Sequence, residues 1–276
     1  MVKLGIGITT YRRLHRLDRT LDGVMALTGT PHRLVVADDG SEDGTLEALR
    51  RRRIPHITGP NRGIAWNKNR LLYHFVQVER CDVVILLEDD TYPLSRDWER
   101  PWIEATLRHG HVNFASPGLD PHYTGGTGTP EDPFRSPLTS ANCAAFGREA
   151  IRAVGYMDTR FGRYGYEHGE HTSRLVKAGF GGDPETGAMF LVRSDLQVED
   201  IGAGRYDDAL AANADVYALL AADPTLFRRA WRGAEQRRAL QAELRAATLY
   251  APDGRLRRWW RTTSVAMCRR DPMQRA

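Results

Sequence analysis

Asp82-Val83-Val84-Ile85-Leu86-Leu87-Glu88-Asp89-Asp90 is the stretch from which the fold is read. Its apolar run, led by β-branched Val83, Val84 and Ile85, suits a strand covered on both faces, and it stops abruptly in carboxylates. Shorter patterns of the same kind lie upstream. Leu4-Gly-Ile-Gly-Ile-Thr-Thr10 and Arg33-Leu-Val-Val-Ala37 read as strands, and 54–58 as a shorter one. Helical patterns separate them at 14–27, 45–52 and 64–79. Buried strands alternating with helices predict an α/β fold, a mostly parallel Rossmann-like sheet flanked by helices. Ligands of such sheets sit beyond the carboxyl ends of the strands. Those ends hold Thr9-Thr10-Tyr11, Asp38-Asp39-Gly40-Ser41 and Glu88-Asp89-Asp90.

Downstream the pattern loosens. Asp-Pro, Gly-Gly and Gly-Thr-Pro crowd into 119–139, which predicts a long loop of the lid or binding type. A strand over 142–146 and a helix over 148–154 follow, then a polar, glycine-rich stretch at 156–171. Helical patterns return at 209–222 and 226–247, broken by Asp223-Pro224. The expected organisation is a catalytic domain at 1–205 and a helical extension at 206–276.

Composition excludes other classes. With 276 residues, 41% hydrophobic and 27% charged, the chain is neither disordered nor collagenous and has length for one large domain or two small ones. No apolar run nears the ~20 residues that cross a bilayer, and the first residues lack a signal-peptide pattern. Cys81, Cys143 and Cys268 lie far apart with no CxxC pair, so neither a disulfide framework nor a zinc knuckle is expected. The expected location is the cytoplasm.

The net charge of +4 is uneven, because 228–276 carries 13 Arg against four acidic residues while the rest is mildly acidic. Trp231 and Arg257-Arg258-Trp259-Trp260-Arg261 mix rings with cations. Such a tail suits contact with nucleic acid, an anionic membrane surface or a second copy in a homo-oligomer. It equally suits an extension whose tryptophans pack on the catalytic domain while its arginines stay in water.

Consecutive carboxylates repel one another, and burying them is costly unless a cation neutralises them. Oxygen ligands suit Mg2+ or Mn2+, which keep waters and share their sites with substrate phosphates. Glu88-Asp89-Asp90 therefore reads either as a metal site or as a solvated acidic turn. Asp38 and Asp39 offer acceptors to a base N–H or a ribose hydroxyl. A plain turn with Ser41 or Asp43 as helix N-cap accounts for the same residues.

Five motifs in order carry a more specific resemblance. They are Thr9-Thr10-Tyr11, Ala37-Asp38-Asp39-Gly40-Ser41, Asn61-Arg62-Gly63 with Asn67-Lys68-Asn69, Glu88-Asp89-Asp90, and a second-half set. That set runs from Phe146-Gly147-Arg148 through Gly155-Tyr156-Met157-Asp158 to Glu167-His168-Gly169-Glu170. The chain resembles the family 2 glycosyltransferases of the GT-A fold over roughly 2–180.

The resemblance implies that Thr9, Thr10, Tyr11, Asp38 and Asp39 line the nucleotide site, with Asp39 on the base N–H. Lys68 falls where a basic residue approaches the diphosphate. Glu88, Asp89 and Asp90 match the D-x-D motif, with Asp89 toward the ribose or sugar and Asp90 on Mn2+ or Mg2+. The general base is expected from Glu167, His168 and Glu170. Here the chain departs from the family, whose commonest form has Asp where this chain has His168, and a carboxylate is preferred as the base. Many relatives add a late histidine to the metal; Asp200 stands in that region and is the candidate substitute, with His168, His171 or water as alternatives.

The implied activity is inverting, metal-dependent transfer from a nucleotide-diphosphate sugar, expected to be uridine-linked, to an acceptor hydroxyl. Glycan, protein, lipid-linked sugar and modified DNA all present one. Two rivals are considered. Sugar-phosphate nucleotidyltransferases follow their first strand with a glycine- and arginine-rich loop ending in lysine, which Thr9-Thr10-Tyr11-Arg12-Arg13 does not resemble. A non-catalytic protein using the basic tail to hold nucleic acid would have no need of intact carboxylates at both sites.

Overall fold

A computed structural model of the chain describes residues 1–199, 207–228, 230–231 and 233–250. In chain order the elements are β1 (Leu4–Thr10), α1 (Leu14–Leu27), β2 (His32–Asp38), α2 (Thr45–Arg51), β3 (His56–Thr58) and α3 (Ile64–Tyr73). Next come β4 (Val83–Glu88), β5 (Thr91–Pro93), α4 (Arg100–His109), β6 (His111–Phe114), β7 (Phe134–Ser136) and β8 (Cys143–Gly147). They are followed by α5 (Arg148–Val154), α6 (Glu167–Lys177), β9 (Met189–Val192), β10 (Leu196–Val198), α7 (Asp207–Ala222) and α8 (Ala234–Ala246).

Eight strands form one sheet in the order β3-β2-β1-β4-β8-β6-β9-β7, and β5 pairs with β10 apart from it. The contiguous half β3-β2-β1-β4 is parallel, as is β6 with β9, while β8 and β7 run antiparallel to their neighbours. The mixed half begins where β4 meets β8.

Alternation along β1 shows how the layers are built. Leu4, Ile6 and Ile8 face a core shared with Leu17, Leu21 and Val24 of α1 and with Trp102 of α4. On the other face Gly5 and Gly7 leave room for α3 and the turn after it: a Cβ on Gly5 would come within 2.5 Å of the Phe75 ring, and one on Gly7 within 2.8 Å of Leu71. That second core holds Leu71, Phe75, Val84, Leu86 and Phe146. Burying each large side chain in these layers contributes about 1.5–3 kcal/mol.

Several elements depart from the sequence expectations. The helix expected over 64–79 is α-helical only to Tyr73 and continues as a π-helical turn, His74–Val78. Within 119–139, Phe134–Ser136 forms the edge strand β7, fixed by Phe134 stacking on Tyr123 at 4.1 Å. The glycine-rich stretch turns helical at Glu167. The last helix starts at Ala234, because Trp231 takes a left-handed turn at φ 59° and Gly233 is extended.

The described part of the extension shares the second core. Trp231, Leu240 and Leu244 pack with Trp66 and Phe75, and Thr248 bridges His56 of β3 through two backbone hydrogen bonds. Trp231 sits edge-on to Trp66 and Tyr73. The Arg257–Arg261 cluster and Cys268 lie outside the described residues. Cys81 and Cys143 are buried free thiols. Among the described residues no helix is long and apolar enough to cross a membrane.

Candidate active site

Strand register brings the expected motifs together. Thr10 pairs with Asp38 and Thr9 with Glu88, so the carboxyl ends of β1, β2 and β4 form one rim. Asp38 closes its own turn: it accepts from the amides of Gly40 and Ser41 at 3.1 Å and from the Thr58 hydroxyl at 2.8 Å. Asp39 accepts from the amides of Arg62 and Gly63 and from Arg70 Nη1 at 2.7 Å. Burial raises the Asp39 pKa, against the opposing pull of Arg70 and those amides. Thr9 is buried, whereas Tyr11 is 39% exposed, with the Arg12 guanidinium 5.3 Å from its ring centroid.

The acidic turn follows directly. Thr10 Oγ1 donates to Asp89 Oδ2 at 2.7 Å, and Thr20 of α1 donates to the Asp89 carbonyl at 2.8 Å. Arg13 Nη1 lies 3.2 Å from Asp89 Oδ1 and 3.1 Å from Asp90 Oδ2. Burial pushes Asp89 up to about 6 despite Arg13, and burial with the charges of Glu88 and Asp89 pushes Asp90 up to about 7. Lys68 Nζ donates to Glu88 Oε1 at 3.0 Å and stands 3.8 Å from Glu167 Oε1. Burial would lower the Lys68 pKa, but Glu88 and Glu167 outweigh it and raise it.

The donors at Asp89 and Asp90 are hard oxygens carrying excess buried negative charge, which fits a divalent cation. Among the described residues no group of three or more His, Cys, Asp or Glu side chains encloses an ion. The turn thus suits an ion that would share its shell with water and substrate phosphate. Asp200, the candidate second ligand, lies outside the described residues.

The three base candidates have separate environments. Glu167 is buried beside Lys68, accepts from the Gly165 amide at 2.9 Å, and has its pKa raised chiefly by burial. His168 Nε2 is 2.7 Å from Asn113 Oδ1, and burial holds its pKa well below the usual value, so the ring stays neutral as a donor to the β6 side chain. Glu170 is clamped by Arg174, Nε at 2.5 Å and Nη2 at 2.8 Å. It borders a cavity of about 370 Å³ between α6 and α7 whose lining contains none of the rim residues.

Several residues of the site were missed from sequence. Arg13 directly follows the Thr9-Thr10-Tyr11-Arg12 run, and Arg70 follows Asn67-Lys68-Asn69. Arg70 is wholly buried, and its Nε is 2.9 Å from Glu243 Oε2 of α8. Glu243 also accepts from Trp66 Nε1 at 3.0 Å. Nothing in the local sequence pairs Glu243 with Arg70 across 173 positions.

Comparisons with known proteins identify the family and the fold. The model of the family described as glycosyl transferase family 2 matches residues 6–152, just over half the chain. No curated protein matches the sequence. Among solved structures, the chain is similar to the mannosyltransferase PcManGT of Pyrobaculum calidifontis in complex with GDP-Man and Mn2+. The identity is 18% and the TM-score 0.58, over 88% of this chain and 69% of that one. It is also similar to glucosyl-3-phosphoglycerate synthase from Mycobacterium tuberculosis, in complex with Mn2+, uridine diphosphate and glucosyl-3-phosphoglycerate. There the identity is 13% and the TM-score 0.56, over 80% of this chain and 79% of that one. The sheet and its flanking helices are therefore those of a GT-A fold. With three strand ends converging on one acidic rim and the family match spanning it, the chain belongs to the family 2 glycosyltransferases.

Proposed function

We propose that the protein transfers a sugar from a nucleotide-diphosphate donor to an acceptor hydroxyl with inversion at the anomeric carbon. The observation that carries it is the single rim on which Thr10, Asp39, Asp89 and Asp90 are held together by strand register and hydrogen bonds. Tyr11 supplies an exposed ring for a base to stack on, and Asp39 its carboxylate, already oriented by Arg70. The expected donor is uridine-linked. Mn2+ and uridine diphosphate in the mycobacterial structure, and Mn2+ with GDP-Man in the Pyrobaculum one, support a metal-assisted nucleotide sugar without choosing between bases.

Asp90, with Asp89 beside it, would hold a divalent cation, which when bound supplies positive charge to the diphosphate leaving group. The chain's own residues do the rest. Arg13 and Lys68 add cationic charge at the same rim. Glu167 is the base: its raised pKa makes it a stronger acceptor for the hydroxyl proton, and the Gly165 amide fixes its orientation. His168 ties α6 to β6 through Asn113, and Glu170 braces Arg174, which donates to the carbonyls of Val154 and Tyr156.

Thermal shift against a panel of nucleotide sugars, each with and without Mn2+ or Mg2+, tests the proposal. A ligand that binds only the native state raises its stability. Stabilisation by one nucleotide sugar only when metal is present is expected. A protein stabilised by none of them, or equally stabilised in chelator, would refute it. An Asp90→Ala variant should lose both the metal-dependent shift and donor turnover.

A further inference from the structure

Asn213 lies on α7, outside the stretch that the family match covers. Its side chain is buried, and among the described residues its hydrogen bonds go to the backbone of one short segment. Nδ2 donates to the carbonyls of Gly162, Tyr164 and Gly165 at 2.8, 2.9 and 2.9 Å, and Oδ1 accepts from the Gly162 amide at 3.0 Å. Two amide hydrogens thus serve three carbonyls, a geometry that fixes the course of 162–165 closely.

The segment is pressed from both sides. The Ile64 amide donates to the Arg163 carbonyl, and a Cβ on Gly63 would meet Arg163 N at 2.6 Å. On the α7 side a Cβ on Gly165 would come within 2.4 Å of Leu210. The backbone between is strained, with Arg163 at φ 27° and Tyr166 at φ 68°, both non-glycine. Such conformations persist only where the surroundings over-determine them, and they cluster at functional sites.

What the segment presents is chemical. The Gly165 amide holds Glu167 Oε2 at 2.9 Å.

We propose that Asn213 is a positioning residue for sugar transfer: it holds 162–166 in its strained course so that Gly165 orients the Glu167 carboxylate. The helical extension therefore completes the reaction site. This inference rests on the transferase function proposed above.

Asn213→Ala and the isosteric Asn213→Asp test it, since neither retains the three donated bonds. Donor turnover, donor KM, thermal stability and amide exchange over 162–167 are measured on the full chain. Displacing a base by a fraction of an ångström lowers kcat by roughly 10–100-fold. That loss is expected in both variants, with donor KM within about twofold of wild type and faster exchange confined to 162–167. Unchanged kcat in a folded variant overturns the inference. So does a loss shared equally by donor binding, or failure of both variants to fold, either of which assigns Asn213 to stability alone. A wild-type protein that turns over no nucleotide sugar defeats the function itself, whereas an active wild type with an equally active variant defeats only the role of Asn213.

Discussion

Arg13 Nη1 lies 3.1 Å from Asp90 Oδ2, so the carboxylate proposed to meet a metal is already paired with a guanidinium of the chain itself. Asp89 shares the same nitrogen at 3.2 Å. A divalent ion bound at Asp90 would have to compete with Arg13, and a diphosphate bound with it would offer Arg13 a new anionic partner.

Replacing Arg13 by Ala should expose that competition. The ligand-free variant loses about 1–3 kcal/mol, because two buried carboxylates lose their cation while the partly exposed arginine limits the cost. Addition of Mn2+ should then raise its melting temperature by more than it raises that of wild type. Equal or smaller stabilisation by Mn2+ in the variant would show that the guanidinium and the metal do not share these oxygens.

Glu167→Gln should lower kcat about 10²–10⁴-fold while leaving donor KM near the wild-type value, as loss of a general base does. Because burial raises the Glu167 pKa above its ordinary 4.5, the acid limb of the wild-type rate profile should lie above that pH. Activity falls there as the carboxylate takes up a proton. Glu170→Gln should instead show itself in stability, through the lost clamp to Arg174. Activity loss equal in the two variants would reject Glu167 as the base.

Glu243 reaches Asp39, the carboxylate proposed to meet the nucleotide base, through Arg70. The pair is buried at both ends, with Arg70 Nε 2.9 Å from Glu243 and Arg70 Nη1 2.7 Å from Asp39. Glu243→Ala leaves Arg70 short of one counter-charge, which costs about 3–5 kcal/mol for a buried pair. Weaker nucleotide binding should accompany the lower denaturant midpoint, since Asp39 is oriented by the same guanidinium. Calorimetry showing wild-type nucleotide affinity in this variant would uncouple α8 from the donor site.

Two buried histidines away from the rim set an acid limit on stability. Burial lowers His74 and His111 from 6.5 to about 4. Between those values the unfolded chain binds protons that the folded rings refuse, so stability falls as pH falls from 6.5 and the loss is complete below about 4. Each ring accounts for about 3 kcal/mol across the window. Urea midpoints at pH 7 and pH 5 measure the slope, and His74→Gln should make it shallower. An unaltered slope in that variant would assign the acid sensitivity elsewhere.

The sequence by itself determined the parallel half of the sheet and the rim. Apolar runs such as Val83–Leu87 are local signals, and each strand's end is marked by the polar residue that follows it. Once β1, β2 and β4 lie side by side in parallel, Thr10, Asp38 and Glu88 are neighbours by register alone. Tertiary structure decided which charged groups meet. Arg13 between Asp89 and Asp90, Arg70 between Asp39 and Glu243, and Asn213 on 162–165 join residues 31 to 173 positions apart. It also separated Glu167, His168 and Glu170, among which sequence preferred a carboxylate without choosing one, because successive helix positions point about 100° apart and so enter different surroundings. Periodicity records which way a side chain faces; the partner it finds there depends on how distant segments pack.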